Sequence, residues 1–303
     1  MEKNKENLLI VIPEQKLLNT ITSVLIDEGL SVLPFLSFSV IPQSILEKID
    51  IFIWDIEAID IYSNEYINKI KNRDRIKFIL TDFLNDDFIS KIIEKNKEKD
   101  FYKNSYKLRD LIFMINTLRD EDKLTKIDTY LNPPAKIFTK KLKESDNYIE
   151  EAQKILLEFL KTNNLDKNID DIDIFMISVG ELVENFVENH MIRKKIKPEI
   201  VIDYGFDNEK LIIGVRDFFG DAELAGLFSS FIRKVKEKTN ENKLTVYSGP
   251  RGRGIMIMKK GFDRIISVVK RNSKEKLTEF ITIIYFNKLR ENKNSSINML
   301  VFT

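Results

Sequence analysis

The sequence predicts an α/β protein in two parts, a doubly wound parallel sheet followed by an α+β two-layer sandwich. Three observations lead to that class. Through the first 120 residues, short apolar runs rich in β-branched residues alternate with amphipathic stretches, the pattern of parallel strands joined by helices. A charged stretch without periodicity then ends in Asn132-Pro133-Pro134, which cannot continue a helix. Beyond it, consecutive strands separated by short turns imply a mixed or mainly antiparallel sheet with helices on one face. The expected boundaries are 1–120 for the first domain, 121–134 for a linker and 135–303 for the second domain. A chain of 303 residues is long enough for both.

In the first domain, strands are expected at Leu8–Ile12, Ser31–Phe35, Ile51–Trp54 and Ile76–Leu80, with a weaker one near Asp100–Tyr102. Helical patterns fall at Leu17–Asp27, Asp86–Lys95 and Lys107–Leu118. The second domain opens with a strand at Ala135–Lys141, helices at Asp146–Lys161 and Asp171–Ile192, and strands at Glu199–Tyr204 and Lys210–Arg216. An irregular segment follows, with an embedded amphipathic helix marked by Leu224, Leu227, Phe228, Phe231 and Val235. After it come the stretch Gly252–Gly261 and two strands, Ile265–Lys270 and Thr278–Phe286.

Composition narrows the chemistry. With 43% hydrophobic and 32% charged residues, the chain can bury real cores. Its 49 basic and 48 acidic residues nearly cancel, so no global charge draws it to nucleic acid or to an anionic membrane. No stretch approaches the length of an apolar span, and the N-terminus does not read as a signal peptide. There is no cysteine, which removes disulfides, thiolate metal sites and thiol nucleophiles and fits a reducing, cytoplasmic setting. The single histidine, His190, excludes multi-histidine metal sites.

Three stretches carry chemistry. Glu181, Asn185 and Asn189 recur every four residues and share one helix face. Asparagine is a poor helix former. Two on one stripe of an otherwise apolar helix fit a site where the Asn185 amide oxygen holds a phosphate-bound divalent cation and Glu181 polarises a water or hydroxyl. A solvated helix edge accounts for the same spacing. Asp217 ends the strand Leu211–Arg216. There an ionised carboxylate, acceptor only, selects a donor such as the exocyclic amine of adenine. It is equally the kind of aspartate that turns favour. Finally, Gly252 and Gly254 open an apolar, helix-like segment flanked by Arg251 and Arg253. Glycines at a helix N-terminus let phosphate approach backbone amides, and a flexible basic loop is the plain alternative.

Taken in this order, the three resemble the N, G1 and G2 boxes of the GHKL (Bergerat-fold) ATPases, most closely the anti-sigma-factor serine kinases. The pattern E-x-x-x-N-x-x-x-H is matched by Glu181, Asn185 and Asn189, with His190 beside the last place. Val215-Arg216-Asp217 matches the strand end, and Gly252-Arg253-Gly254-Ile255-Met256-Ile257-Met258 through Asp263 matches the glycine run. The resemblance spans roughly residues 135–290. It implies ATP and Mg2+ as cofactors, Glu181 as catalytic base, Asn185 as magnesium ligand, Asp217 on adenine, and Gly252 and Gly254 under the phosphates, with Arg253 between them. Where the family has D-x-G-x-G, this chain has Asp217-Phe218-Phe219-Gly220-Asp221, its one glycine displaced to Gly220.

The first domain resembles a response-regulator receiver. Asp55 stands where the phosphoacceptor would, Thr81 as the switch hydroxyl and Lys103 as the lysine after the fifth strand. The acidic pair that would bind magnesium after the first strand is replaced by Ile12-Pro13, with Glu14 next door. That implies a pseudo-receiver used for docking or dimerisation.

The expectation is a cytoplasmic signalling protein whose ATP·Mg domain binds a regulatory partner of the anti-anti-sigma or sigma-factor kind, with transfer of phosphate to a partner serine or threonine as a second activity. A conventional histidine kinase needs an acceptor histidine outside the ATP site, and His190 lies in the motif. The alternative from another class is a non-enzymatic adaptor with a decayed nucleotide site.

Overall fold

The computed structural model describes residues 7–55, 58, 77–81, 106–118, 126–143, 147–188, 199–219, 257–258, 260–270, 276–286 and 297–302. It is a mixed α/β protein that separates into two compact units, the first of residues 1–121, 224–244 and 297–303 and the second of residues 122–223 and 245–296.

The first unit is built on a four-stranded parallel sheet in the order β2-β1-β3-β4. Its strands are β1 (Asn7–Val11), β2 (Ser31–Phe35), β3 (Ile51–Asp55) and β4 (Lys77–Thr81). The two central strands, β1 and β3, are almost wholly buried, as continuous Ile, Leu and Val runs require when both faces of a sheet are covered. β2, at the edge, is half-exposed. Trp54 anchors the core: its ring lies edge-on to Phe38 at 4.6 Å and to Phe78 at 4.8 Å.

Helix α1 (Gln15–Asp27) buries Leu17, Leu18, Ile21, Val24 and Leu25 along one stripe. Glu14 starts it by accepting bonds from the Lys16 and Leu17 amides, which satisfies donors that a first turn otherwise leaves unpaired. Gly29 ends it at φ 80°, where Leu30 N reaches back to Leu25 O, a left-handed cap that glycine adopts without penalty. A short helix α2 (Gln43–Leu46) precedes β3, and α3 (Tyr106–Leu118) belongs to the same unit.

In the second unit, β5 (Lys136–Lys143), β6 (Glu199–Phe206), β7 (Lys210–Asp217), β9 (Leu277–Tyr285) and β8 (Arg264–Lys270) lie side by side in that order. Every one of these pairings is antiparallel. Asp207 shapes the β6–β7 turn by accepting from the amides of Glu209 and Lys210. Helices α4 (Tyr148–Thr162) and α5 (Ile172–Glu188) cover one face of the sheet. Phe159 of α4 stacks on Tyr204 at 5.6 Å, and Phe186 of α5 meets Phe280 edge-on at 5.4 Å. The two helices approach closely at Gly180, where an added Cβ would stand 2.9 Å from Gln153 Nε2 and 3.3 Å from Ile149.

The other face is covered in part by the stretch expected as a linker. Ile127, Tyr130 and Leu131 are buried. Ile127 and Leu131 fill the space left by Gly205, and Ile127 that left by Gly214. Isolated apolar residues, too few for periodicity to register, make this segment part of the second core. A final strand, β10 (Ile297–Phe302), grouped with the first unit, was not expected from the sequence. Among the described residues, no helix is long and apolar enough to cross a membrane.

Candidate functional site

Asp217 is the last residue of β7 and is 1% exposed. Strand alternation puts it on the same face as Val215 and Ile213, the face that α5 covers through Phe186 and Phe280. Its partner across the β7–β9 ladder is Thr278, whose Oγ1 is buried without a hydrogen-bond partner. Buried hydroxyls are normally satisfied, so a carboxylate and an open hydroxyl side by side form a polar niche. Nothing in the sequence singles out Thr278; only the register does. Asp217 also accepts from Phe219 N at 3.0 Å, as a turn aspartate does.

Glu181 and Asn185 stand one turn apart on α5, Glu181 half-buried and Asn185 exposed. Asn185 Nδ2 donates to Glu181 O at 2.8 Å, which keeps the amide oxygen for another partner. Such an oxygen is a hard ligand suited to magnesium already bound to phosphates. Burial, and then the neighbouring charge of Glu184, raise the Glu181 carboxyl above its ordinary value, the direction a general base needs.

One residue along from the niche, on the opposite face, lies a buried charge cluster. Arg216 Nη1 is 2.6 Å from Asp203 Oδ2 and 3.5 Å from Glu279 Oε1. Thr139 Oγ1 donates to Asp203 at 2.6 Å. Glu279 is fully buried beside Gly214. Burial pushes its carboxyl up to about 8, and Asp203 adds to the rise while Arg216 and Lys270 oppose it. The cluster fixes the register of β6, β7 and β9 at the point where Asp217 leaves the sheet. The sequence reading missed it, because its members are far apart in the chain.

In the first unit, Asp55 and Thr81 are register partners across β3 and β4 and both are buried. They sit at the carboxyl ends of their strands, beside the β1–β3 reversal where open α/β sheets collect ligands. Around them the chemistry thins. Ile12 is buried, and Glu14, the acid that follows Ile12-Pro13, is engaged in capping α1.

Asn189, His190, Gly220, Gly252, Arg253, Gly254 and Lys103 lie outside the described residues. Asp263 is described and works structurally: its Oδ2 accepts from Tyr285 N at 2.7 Å, tying the start of β8 to the end of β9. Among the described residues, no group of three or more acidic or histidine side chains is arranged to hold a metal. No known protein family matches the chain, and no curated protein is found as a relative.

Proposed function

We propose that the second unit is an ATP·Mg-binding domain of the GHKL type, similar to the anti-sigma-factor serine kinases, acting through nucleotide-dependent binding of a regulatory protein. One observation carries the reading: a buried strand-end acid with an open hydroxyl beside it, on the sheet face covered by the helix that bears Glu181 and Asn185. A purine amine suits the Asp217–Thr278 niche, since the carboxylate accepts and the hydroxyl can do either. Asn185 offers an amide oxygen to magnesium, which when bound neutralises charge on the phosphates. Glu181 stands one turn before it to accept a proton from an incoming hydroxyl. The first unit, in this reading, is a receiver-like domain that docks partners.

A thermal titration tests it. Ligand that binds only the folded state raises the melting temperature as its concentration climbs, so ATP with magnesium should stabilise the protein and GTP should do so less. No shift at millimolar ATP with folded protein removes the proposal.

A second reading, a non-enzymatic adaptor, is favoured by Phe218. This large ring is 52% exposed directly after Asp217, and the next residue, Phe219, stands where the family has its first glycine. Under it, the unit binds its partner equally well with and without ATP.

A further inference from the structure

The second sheet ends at β5, and among the described residues no strand lies beyond it. An edge strand presents a row of unpaired amides and carbonyls, which folds usually blunt by shortness, proline or charge. The first sheet follows that habit at its edge strand β2, which has five residues and carries Pro34. β5 is longer and lacks proline: it runs for eight residues, Lys136-Ile137-Phe138-Thr139-Lys140-Lys141-Leu142-Lys143. From Lys136 to Lys141 every residue is exposed. Alternate residues of such a strand turn their backbone groups away from β6, toward open space.

Apolar surface accompanies that backbone on both faces. Phe138 is 45% exposed although its ring meets Phe159 of α4 edge-on at 5.0 Å. Ile137, on the opposite face, is 42% exposed although it borders Gly205. Each has a packed inner flank and an open outer one, so a strand laid along β5 would cover both. Main-chain bonds and the burial of such side chains are what drive strand addition.

Charge decides which strand fits. The β6 residues opposite Lys136, Lys140 and Lys141 are Phe206, Ile202 and Val201, none of them acidic. Lys136 lies over the Phe206 ring at 5.7 Å, and Lys141 reaches Glu199 at 3.7 Å. A second copy of β5 fits badly. Paired antiparallel about Phe138 and Thr139, it sets Lys136 against Lys141; paired about Lys140, it sets that lysine against its own copy. Like charges directly opposite destabilise a ladder, and opposite charges stabilise it.

We propose that the open edge of β5 is a docking site for an extended acidic segment of a partner protein, added to the sheet as a further strand. Its acids fall opposite Lys136, Lys140 and Lys141, and its apolar residues opposite Ile137 and Phe138. β5 carries none of the residues assigned to the nucleotide, so this surface is independent of that reading and is tested without ATP.

The probe is a blocked peptide of the same length as β5, antiparallel to it by design. It has glutamate opposite each lysine, valine or isoleucine opposite Ile137, Phe138 and Leu142, and threonine opposite Thr139. Its affinity for the full chain is read by fluorescence anisotropy. A version N-methylated on its backbone amides keeps every charge and loses the donors; it should bind roughly tenfold more weakly or worse. Lys140→Glu, an exposed change, should weaken the plain peptide about fivefold, and a peptide with lysine at the facing place should recover most of that loss. Equal binding of the plain and methylated peptides would reduce the contact to charge attraction and overturn strand addition. A Lys140→Glu loss that the swapped peptide does not recover would overturn the pairing, and no saturable binding at millimolar peptide would remove the site altogether. Sedimentation of the full chain checks the other occupant: a dimer whose strength Lys140→Glu changes would give the edge to a second copy and overturn the acidic partner.

Discussion

The two units each end a strand on an aspartate paired in register with a threonine: Asp55 with Thr81 across a parallel ladder, Asp217 with Thr278 across an antiparallel one. All four are buried, and neither threonine Oγ1 has a hydrogen-bond partner. What differs is the company. Asp55 has Ile12 and Pro13 where further acids would be needed, and Glu14 is engaged in starting a helix. Asp217 lies on the sheet face that the helix carrying Glu181 and Asn185 covers. The comparison teaches that an acid–threonine pair is what strand ends readily produce; chemistry depends on what the next layer brings to it.

Four experiments bear on that contrast. The largest effect is expected at Glu181. If the second unit transfers phosphate to a partner, Glu181→Gln should slow labelling from radioactive ATP by about a hundredfold or more and leave ATP binding nearly intact. Equal rates in variant and parent would dismiss the base assignment. Next, Asp217→Asn should weaken ATP roughly 10- to 100-fold, the range for a hydrogen bond to a charged group. Asp55→Asn should leave ATP affinity as it was. Equal losses in calorimetry would mean the two aspartates do not differ as described.

The third concerns the charge cluster behind Asp217. Glu279 has a folded pKa raised to about 8. An acid raised in this way contributes stability that is complete below its unfolded value, near 4.5, and is lost as pH climbs through the folded one. Denaturant unfolding between pH 5 and 8 should show stability falling by up to about 1.4 kcal/mol per pH unit. Glu279→Gln, neutral throughout, should flatten that slope; an unchanged slope would place the proton elsewhere. The smallest effect is at Asp55. Acetyl phosphate with magnesium should give little or no adduct by intact mass, and a stoichiometric adduct lost in Asp55→Ala would restore the first unit to full receiver chemistry.

Much of this was legible in the sequence. Apolar runs at 8–12 and 51–54 gave central strands because both their faces are buried, and Asp171 and Asn147 stand at helix starts, accepting from Ile174 N and Glu150 N. Glu181 and Asn185 could be read because helical spacing is local. Thr278 and Glu279 could not. Each matters through a residue dozens of positions away, and only pairing across strands brings them together. Ile127 and Leu131 escaped for another reason: a segment that docks onto glycines needs only two or three apolar side chains.

The alternation of β7 and β9 has one more consequence. Arg216 and Asp217 are neighbours that face opposite ways, and so are Glu279 and Thr278 opposite them. Sliding either strand by a single residue would turn the arginine toward the helices and the site aspartate into the buried cluster. Within these strands, a one-codon insertion or deletion would therefore carry Asp217 among the acids of the cluster and take Arg216 away from them.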